Sequence, residues 1–218
     1  MKNSLLMAGL AATLCATLAT PAQAQSADLQ AWTAAGDVVI DNASAARLST
    51  AYADEAPLSA GSALLFDELE TALSLAPGSL AADTIEGSGL RLSFAAAAGT
   101  TLRFDWQLST VDFDAMQADR AFVLIDGGLL VSLGTVAANT VAGQFSHSFA
   151  SAGPHALAIV VMDVAAADRV STLALSNFQV SAVPEPGSWA LLLAGLCVVG
   201  VAGVASLRGA LGAAARHR

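Results

Sequence analysis

From residue 90 onward, apolar side chains return at every second position, and that period constrains the fold more than any other feature of the chain. Leu90, Leu92 and Phe94 alternate with Arg91 and Ser93, and Leu102, Phe104, Trp106 and Leu108 alternate with Arg103, Asp105 and Gln107. Successive side chains of an extended chain point to opposite faces, so these runs predict strands with one buried face. Trp106 falls in the apolar register of its run and is expected in the core. Residues 121–125 and 129–133 flank Asp126-Gly127-Gly128, whose glycines permit positive φ, and predict a β-hairpin. Residues 144–149 alternate again, with Phe145, His147 and Phe149 on one side. Residues 156–162 are apolar at nearly every position, which suits a central strand covered on both faces. Adding residues 37–40 and 172–180 makes about eight strands. One stretch differs: over residues 64–75, Leu65, Leu69, Ala72 and Leu73 share a helical face, and Pro77-Gly78 stops that helix. The expected class is all-β, a jelly-roll-like β-sandwich with one short helix.

Charge divides the chain into parts with separate physics. Residues 1–24 carry only Lys2, residues 25–183 carry 17 acids against 5 arginines, and residues 207–218 carry 3 arginines and no acid. A middle part with that acidic excess repels phosphate, so a nucleic-acid partner is excluded. At the start, Lys2 precedes a short apolar run that ends at Pro21-Ala22-Gln23-Ala24. A basic start, a short apolar core and small residues at Ala22 and Ala24 make a signal peptide, cut by signal peptidase before Gln25. At the other end, residues 189–207 contain no charge. At about 1.5 Å per residue they reach roughly 28 Å, enough to cross a bilayer as one transmembrane helix. Trp189 stands at one edge, while Arg208, Arg216 and Arg218 lie beyond the other. The positive-inside rule keeps that tail in the cytoplasm and the acidic domain outside. The expected organisation is a signal peptide over 1–24, an extracellular domain over 25–182 and a C-terminal segment over 183–218.

Directly before the apolar helix stands Val183-Pro184-Glu185-Pro186-Gly187-Ser188-Trp189, followed by Leu191-Leu192-Leu193. Two prolines exclude helix on the approach and hold an extended, accessible segment beside the membrane. This C-terminal stretch resembles a PEP-CTERM sorting signal, with Pro184, Glu185 and Pro186 on the family triplet. The resemblance implies recognition by exosortase, an integral membrane cysteine peptidase, during export of proteins made alongside exopolysaccharide. It also implies a Gram-negative cell, an initial anchor in the inner membrane through one C-terminal helix, and a final place at the surface or outside the cell. The chain departs from the family pattern in placing residues 209–215 between Arg208 and Arg216-His217-Arg218, where members carry a continuous arginine cluster.

A second resemblance covers most of the middle part. Trp32 with Gly36-Asp37, residues 69–75 before Pro77-Gly78-Ser79-Leu80, Glu86-Gly87-Ser88-Gly89, Phe104-Asp105-Trp106, residues 121–126 and residues 175–180 are similar to extracellular domains often joined to PEP-CTERM signals. Those domains resemble jelly-roll carbohydrate-binding modules, and the matches speak to fold more than to activity.

Candidate chemistry is sparse. Cys15 lies in the leader and Cys197 in the anchor, so the exported domain has no thiol for a disulfide, a metal or a nucleophile. His147 and His155 stand eight positions apart across a turn and read as surface or packing residues. Glu86-Gly87-Ser88-Gly89 lacks the spacing of a nucleophile elbow and reads as a tight turn before a strand. No catalytic residue is assigned. Asp112, Asp114 and Asp119 form the densest acidic group, and calcium or a solvated acidic loop are both open there. For a sugar ring, Trp32 and Tyr52 are the aromatic candidates. The sequence leads to a non-enzymatic surface or extracellular-matrix protein, structural or exopolysaccharide-associated. A carbohydrate-binding module, calcium-dependent or not, is the alternative, and a polysaccharide hydrolase stands third.

Overall fold

In the computed structural model, residues 28–80, 83–110, 118–136, 139–164, 169–181 and 194–195 are described. After a 3-10 turn at Leu29–Ala31, the chain runs β1 (Thr33–Ala35), β2 (Asp37–Asn42), β3 (Ala45–Ser49), β4 (Leu64–Leu65), α1 (Phe66–Ala72), β5 (Thr84–Ala96) and β6 (Thr101–Thr110). It continues with β7 (Asp119–Ile125), β8 (Leu129–Val136), β9 (Asn139–Ser148), β10 (Gly153–Val164) and β11 (Ser171–Ser181). Two antiparallel sheets result. Sheet A has the order β1-β5-β10-β7-β8 with β4 also pairing to β5, and sheet B has the order β2-β3-β11-β6-β9. The architecture is the expected β-sandwich with one short helix, and Ala24–Val183 makes one compact unit.

Alternation builds the core. Leu102, Phe104 and Leu108 of β6 turn inward and meet Leu157, Ile159 and Val161 of β10 and Val123 and Ile125 of β7 from the opposite sheet. The Phe104 ring lies between Phe145 and Phe178, with centroids 5.0 and 5.4 Å away. β10 is central in sheet A, as its doubly apolar run requires. Its other face, with Ala158, Val160 and Met162 beside Phe122 and Leu124 of β7, is covered by Leu69 of α1 and by Leu73 and Leu80. The hairpin also forms as expected: Ile125 pairs with Leu129, and Asp126 and Gly127 take φ of 52° and 68° in the turn.

Four expectations need correction. The eight anticipated strands are all present, but β1, β3 and β4 join them; these have 3, 5 and 2 residues, too short for a period to show. The helix is Phe66–Ala72 rather than 64–75, because Leu64 and Leu65 pair with Gly87 and Glu86 of β5. Leu65 is consequently 42% exposed and outside the helical face, and Ala72 is exposed as well. Residues 86–89 are not a turn but part of β5. Glycine is needed there because a Cβ at Gly87 would stand 2.1 Å from the Val161 carbonyl oxygen. Trp106 does pack against the core as expected, but it is only half-buried, with its indole laid over Gly143, where a Cβ would come within 2.8 Å of the ring.

Candidate functional site

The period that buries Phe104 sends Arg103, Asp105 and Gln107 to the outer face of sheet B. Register supplies their neighbours: on β9, Gln144 faces Asp105 and Ser146 faces Arg103. On β11, Ser176 faces Asp105 while Gln179 faces Arg103, so β11 carries one extra residue between them. That bulge contains Asn177, whose φ of 54° is left-handed, a conformation asparagine tolerates better than most residues. It turns Asn177 outward and Phe178 inward against Phe104 and Trp32.

Arg103, Asp105, Gln144, Asn177 and Gln179 together line a shallow cleft of about 230 Å³. Its organising group is Asp105. The Asn177 Nδ2 and Gln144 Nε2 groups each donate to one of its oxygens at 2.7 Å. Those two bonds, Asn177 first, with the charge of Arg103 behind them, hold the carboxyl below the usual carboxylate range. Each amide keeps its carbonyl oxygen and a second N–H for a ligand, and Arg103 adds donors. An ionised carboxylate with both oxygens engaged is a poor general acid, and among the described residues no second carboxylate lines the cleft. The arrangement offers both donors and acceptors to hydroxyl groups.

Three further polar sites are built into the sandwich. Asp37, fully buried, accepts from Ser49 Oγ and, at 2.7 Å each, from Leu58 N, Ser59 N and Ser59 Oγ. Burial raises its pKa, but these bonds outweigh burial and leave it below the ordinary value. Glu86 is 4% exposed, and its Oε1 has no hydrogen-bond partner among the described residues. Burial first, then the charges of Glu55 and Asp54, push its carboxyl up. His155 is also buried, its Nδ1 2.8 Å from Asp126 Oδ2 and its Nε2 3.1 Å from the Ser151 carbonyl. With an acceptor on each ring nitrogen the imidazolium is favoured; the Asp126 bond is the main cause and the pKa is raised. Both nitrogens of this histidine, read from sequence as a surface or packing residue, are thus engaged within the sandwich.

The residues singled out from sequence do not converge. Trp32 is 5% exposed and packs edge-on against Phe178 at 5.0 Å, so the ring proposed for a sugar belongs to the core. Its place beside the 3-10 turn, outside any alternating run, hid that burial. Tyr52 is 43% exposed on the loop after β3 and lies outside the cleft. Asp119 is buried and accepts from Val164 N at 3.2 Å, whereas Asp112 and Asp114 fall outside the described residues. Among the described residues no cluster of three or more histidine, cysteine or acidic side chains is placed to hold a metal. Ala22, Ala24, Pro184, Glu185, Pro186 and nearly all of 189–207 also lie outside them, and no described helix is long and apolar enough to cross a membrane.

Residues 182–208 match the PEP-CTERM protein-sorting motif. The chain carries an exosortase-type sorting signal. That PEP-CTERM signal implies processing by exosortase and placement at the surface or outside the cell. None of the curated proteins compared with the chain matches it. Among solved structures it is similar to a CBM4 domain, 12% identical, covering 71% of this chain and 96% of that one, with a TM-score of 0.33. It is similar as well to TmCBM61 in complex with β-1,4-galactotriose, 13% identical over 73% and 93% of the two chains, with a TM-score of 0.33. A third is the N-terminal cellulose-binding domain of Cellulomonas fimi β-1,4-glucanase C, 12% identical over 77% and 99%, with a TM-score of 0.32.

Proposed function

We propose that this PEP-CTERM protein is a non-enzymatic component of a Gram-negative cell surface or extracellular matrix that associates with exopolysaccharide through the outer face of sheet B. The observation that carries the reading is the pair of 2.7 Å bonds by which Asp105 fixes Gln144 and Asn177 on an open sheet. Amides already held by Asp105 lose little freedom when they bond a sugar hydroxyl, so the binding energy is not spent on ordering them. Among the described residues the cleft contains one carboxylate where glycoside hydrolysis calls for two. With a formal net charge of −9 the chain repels strongly anionic polymers, which favours neutral polysaccharide. In this reading residues 1–24 are removed by signal peptidase. Residues 189–207 anchor the chain in the inner membrane until exosortase acts at Pro184-Glu185-Pro186.

The test is titration calorimetry of the mature protein against neutral polysaccharides, with reducing-end release followed in parallel. Saturable binding that Asp105→Ala or Asn177→Ala weakens by about tenfold or more, without turnover, supports the reading. Turnover, or affinity unchanged in both folded variants, overturns it.

A further inference from the structure

Five of the described strands border the sheets, and four of them are poor templates for another chain. β1 and β4, which both pair only with β5, have 3 and 2 residues. β2 has a register irregularity between Ile40 and Asn42 and carries Asp41, which is ion-paired to Arg47 at 2.9 Å. β8 shifts register against β7 between Ala121 and Phe122. Short length, bulges and charge are the usual means of blunting a sheet edge. β9 has none of them. It pairs with β6 through ten consecutive residues without a register shift, and its other side pairs with no described strand. It contains no proline, lysine, arginine, aspartate or glutamate. Indeed the chain has no Asp, Glu, Lys or Arg anywhere from Gly127 to Met162, although its formal net charge is −9.

We propose that β9 pairs antiparallel with β9 of a second copy, continuing sheet B across a two-fold axis. Copies of an acidic protein repel each other wherever acids face acids, and this charge-free edge is where two of them meet without that cost. Antiparallel pairing of one edge with itself is self-complementary, as a two-fold dimer requires. Every second backbone N–H and C=O of the edge, otherwise bonded to water, then finds a partner across the axis. The side chains at the seam are small or uncharged on the outer face: Thr140, Ala142, Gln144 and Ser146 are all exposed. Gln144 also lines the cleft. With strands about 4.8 Å apart, the two β6 strands stand roughly 14 Å apart, so two clefts share one continuous face.

The experiment is sedimentation equilibrium on the mature protein, with Thr140→Lys/Ala142→Lys at the edge and Gln107→Lys as a charge control on the interior strand β6. The expected result is twice the single-chain mass for the wild type and for Gln107→Lys, with association at least about tenfold weaker in the double variant. A wild type at single-chain mass throughout the concentration range overturns the proposal. So does a folded double variant that stays dimeric. Should the double variant lose its fold, amide hydrogen exchange of the wild type decides. Protection of alternate β9 amides that rises with protein concentration supports the pairing, and concentration-independent exchange overturns it.

Discussion

Replacing Asp37 by asparagine is the sharpest single test of how the strand ends are held. Oδ2 receives Ser49 Oγ and Leu58 N, and Oδ1 receives Ser59 N and Ser59 Oγ. Each oxygen therefore faces one backbone N–H, which can never become an acceptor. Whichever way an asparagine amide is placed, its NH2 group meets a donor. One charge-assisted bond worth about 1.5–3 kcal/mol is lost, the charge on the remaining oxygen goes, and a buried donor is left opposed. The loop over 50–63 relaxes enough to rehydrate part of this, so a destabilisation of about 2–4 kcal/mol is expected, a large fraction of a typical domain's stability. Ser59→Ala removes one hydroxyl and leaves its N–H, and should cost about 1 kcal/mol. Urea unfolding followed by tryptophan fluorescence reads both, since Trp32 is buried in the folded chain. The pH dependence has a definite sign. Asp37 has a lowered folded-state pKa, so its contribution is present above the ordinary carboxylate range and lost as pH falls through the folded value. The gap between wild type and Asp37→Asn should shrink in acid. A neutral-pH difference under about 0.5 kcal/mol, or a gap independent of pH, would refute the reasoning.

His155 carries the opposite sign. Its pKa is raised by Asp126, so the stability it adds is full below the ordinary histidine value and fades as pH rises through the folded value. Melting temperatures of wild type and His155→Gln should converge as pH rises from the ordinary histidine value through the raised folded value, and parallel curves would count against the clamp. Glu86, whose pKa is raised by burial, makes the folded state less stable as pH climbs from the ordinary carboxylate range to its folded value. Glu86→Gln stays neutral, so at pH 7 it should match or exceed the wild type in denaturant midpoint; a loss of more than about 1 kcal/mol would show that the charge is used.

The strands and their inward faces were legible because alternation is local: Phe104 and Asp105 are adjacent, and an extended backbone must send them to opposite sides. The central place of β10 was legible for a related reason, since 156–162 has no polar face to give to water. β3 was missed because Ala45–Ser49 contains one large apolar residue, and its strand state comes from pairing with β2 and β11. Glu86-Gly87-Ser88-Gly89 misled because two glycines that signal a turn were needed instead for close approach of β10. The cleft had no signature at all: Asp105, Gln144 and Asn177 are far apart in the chain and ordinary as residue types on a solvated face.

The sequence by itself determined the sandwich class, the buried faces of the strands, and the sorting signal at 182–208. Each depends on side-chain type at short spacing, which folding does not rearrange. Tertiary structure alone decided that Trp32 is a core ring, that Glu86 is shut from water, and that one extra residue in β11 swings Asn177 onto Asp105. Those outcomes follow from register between strands distant in the chain. Register is chosen by the summed packing of two whole sheets, and no short window of residues contains that sum.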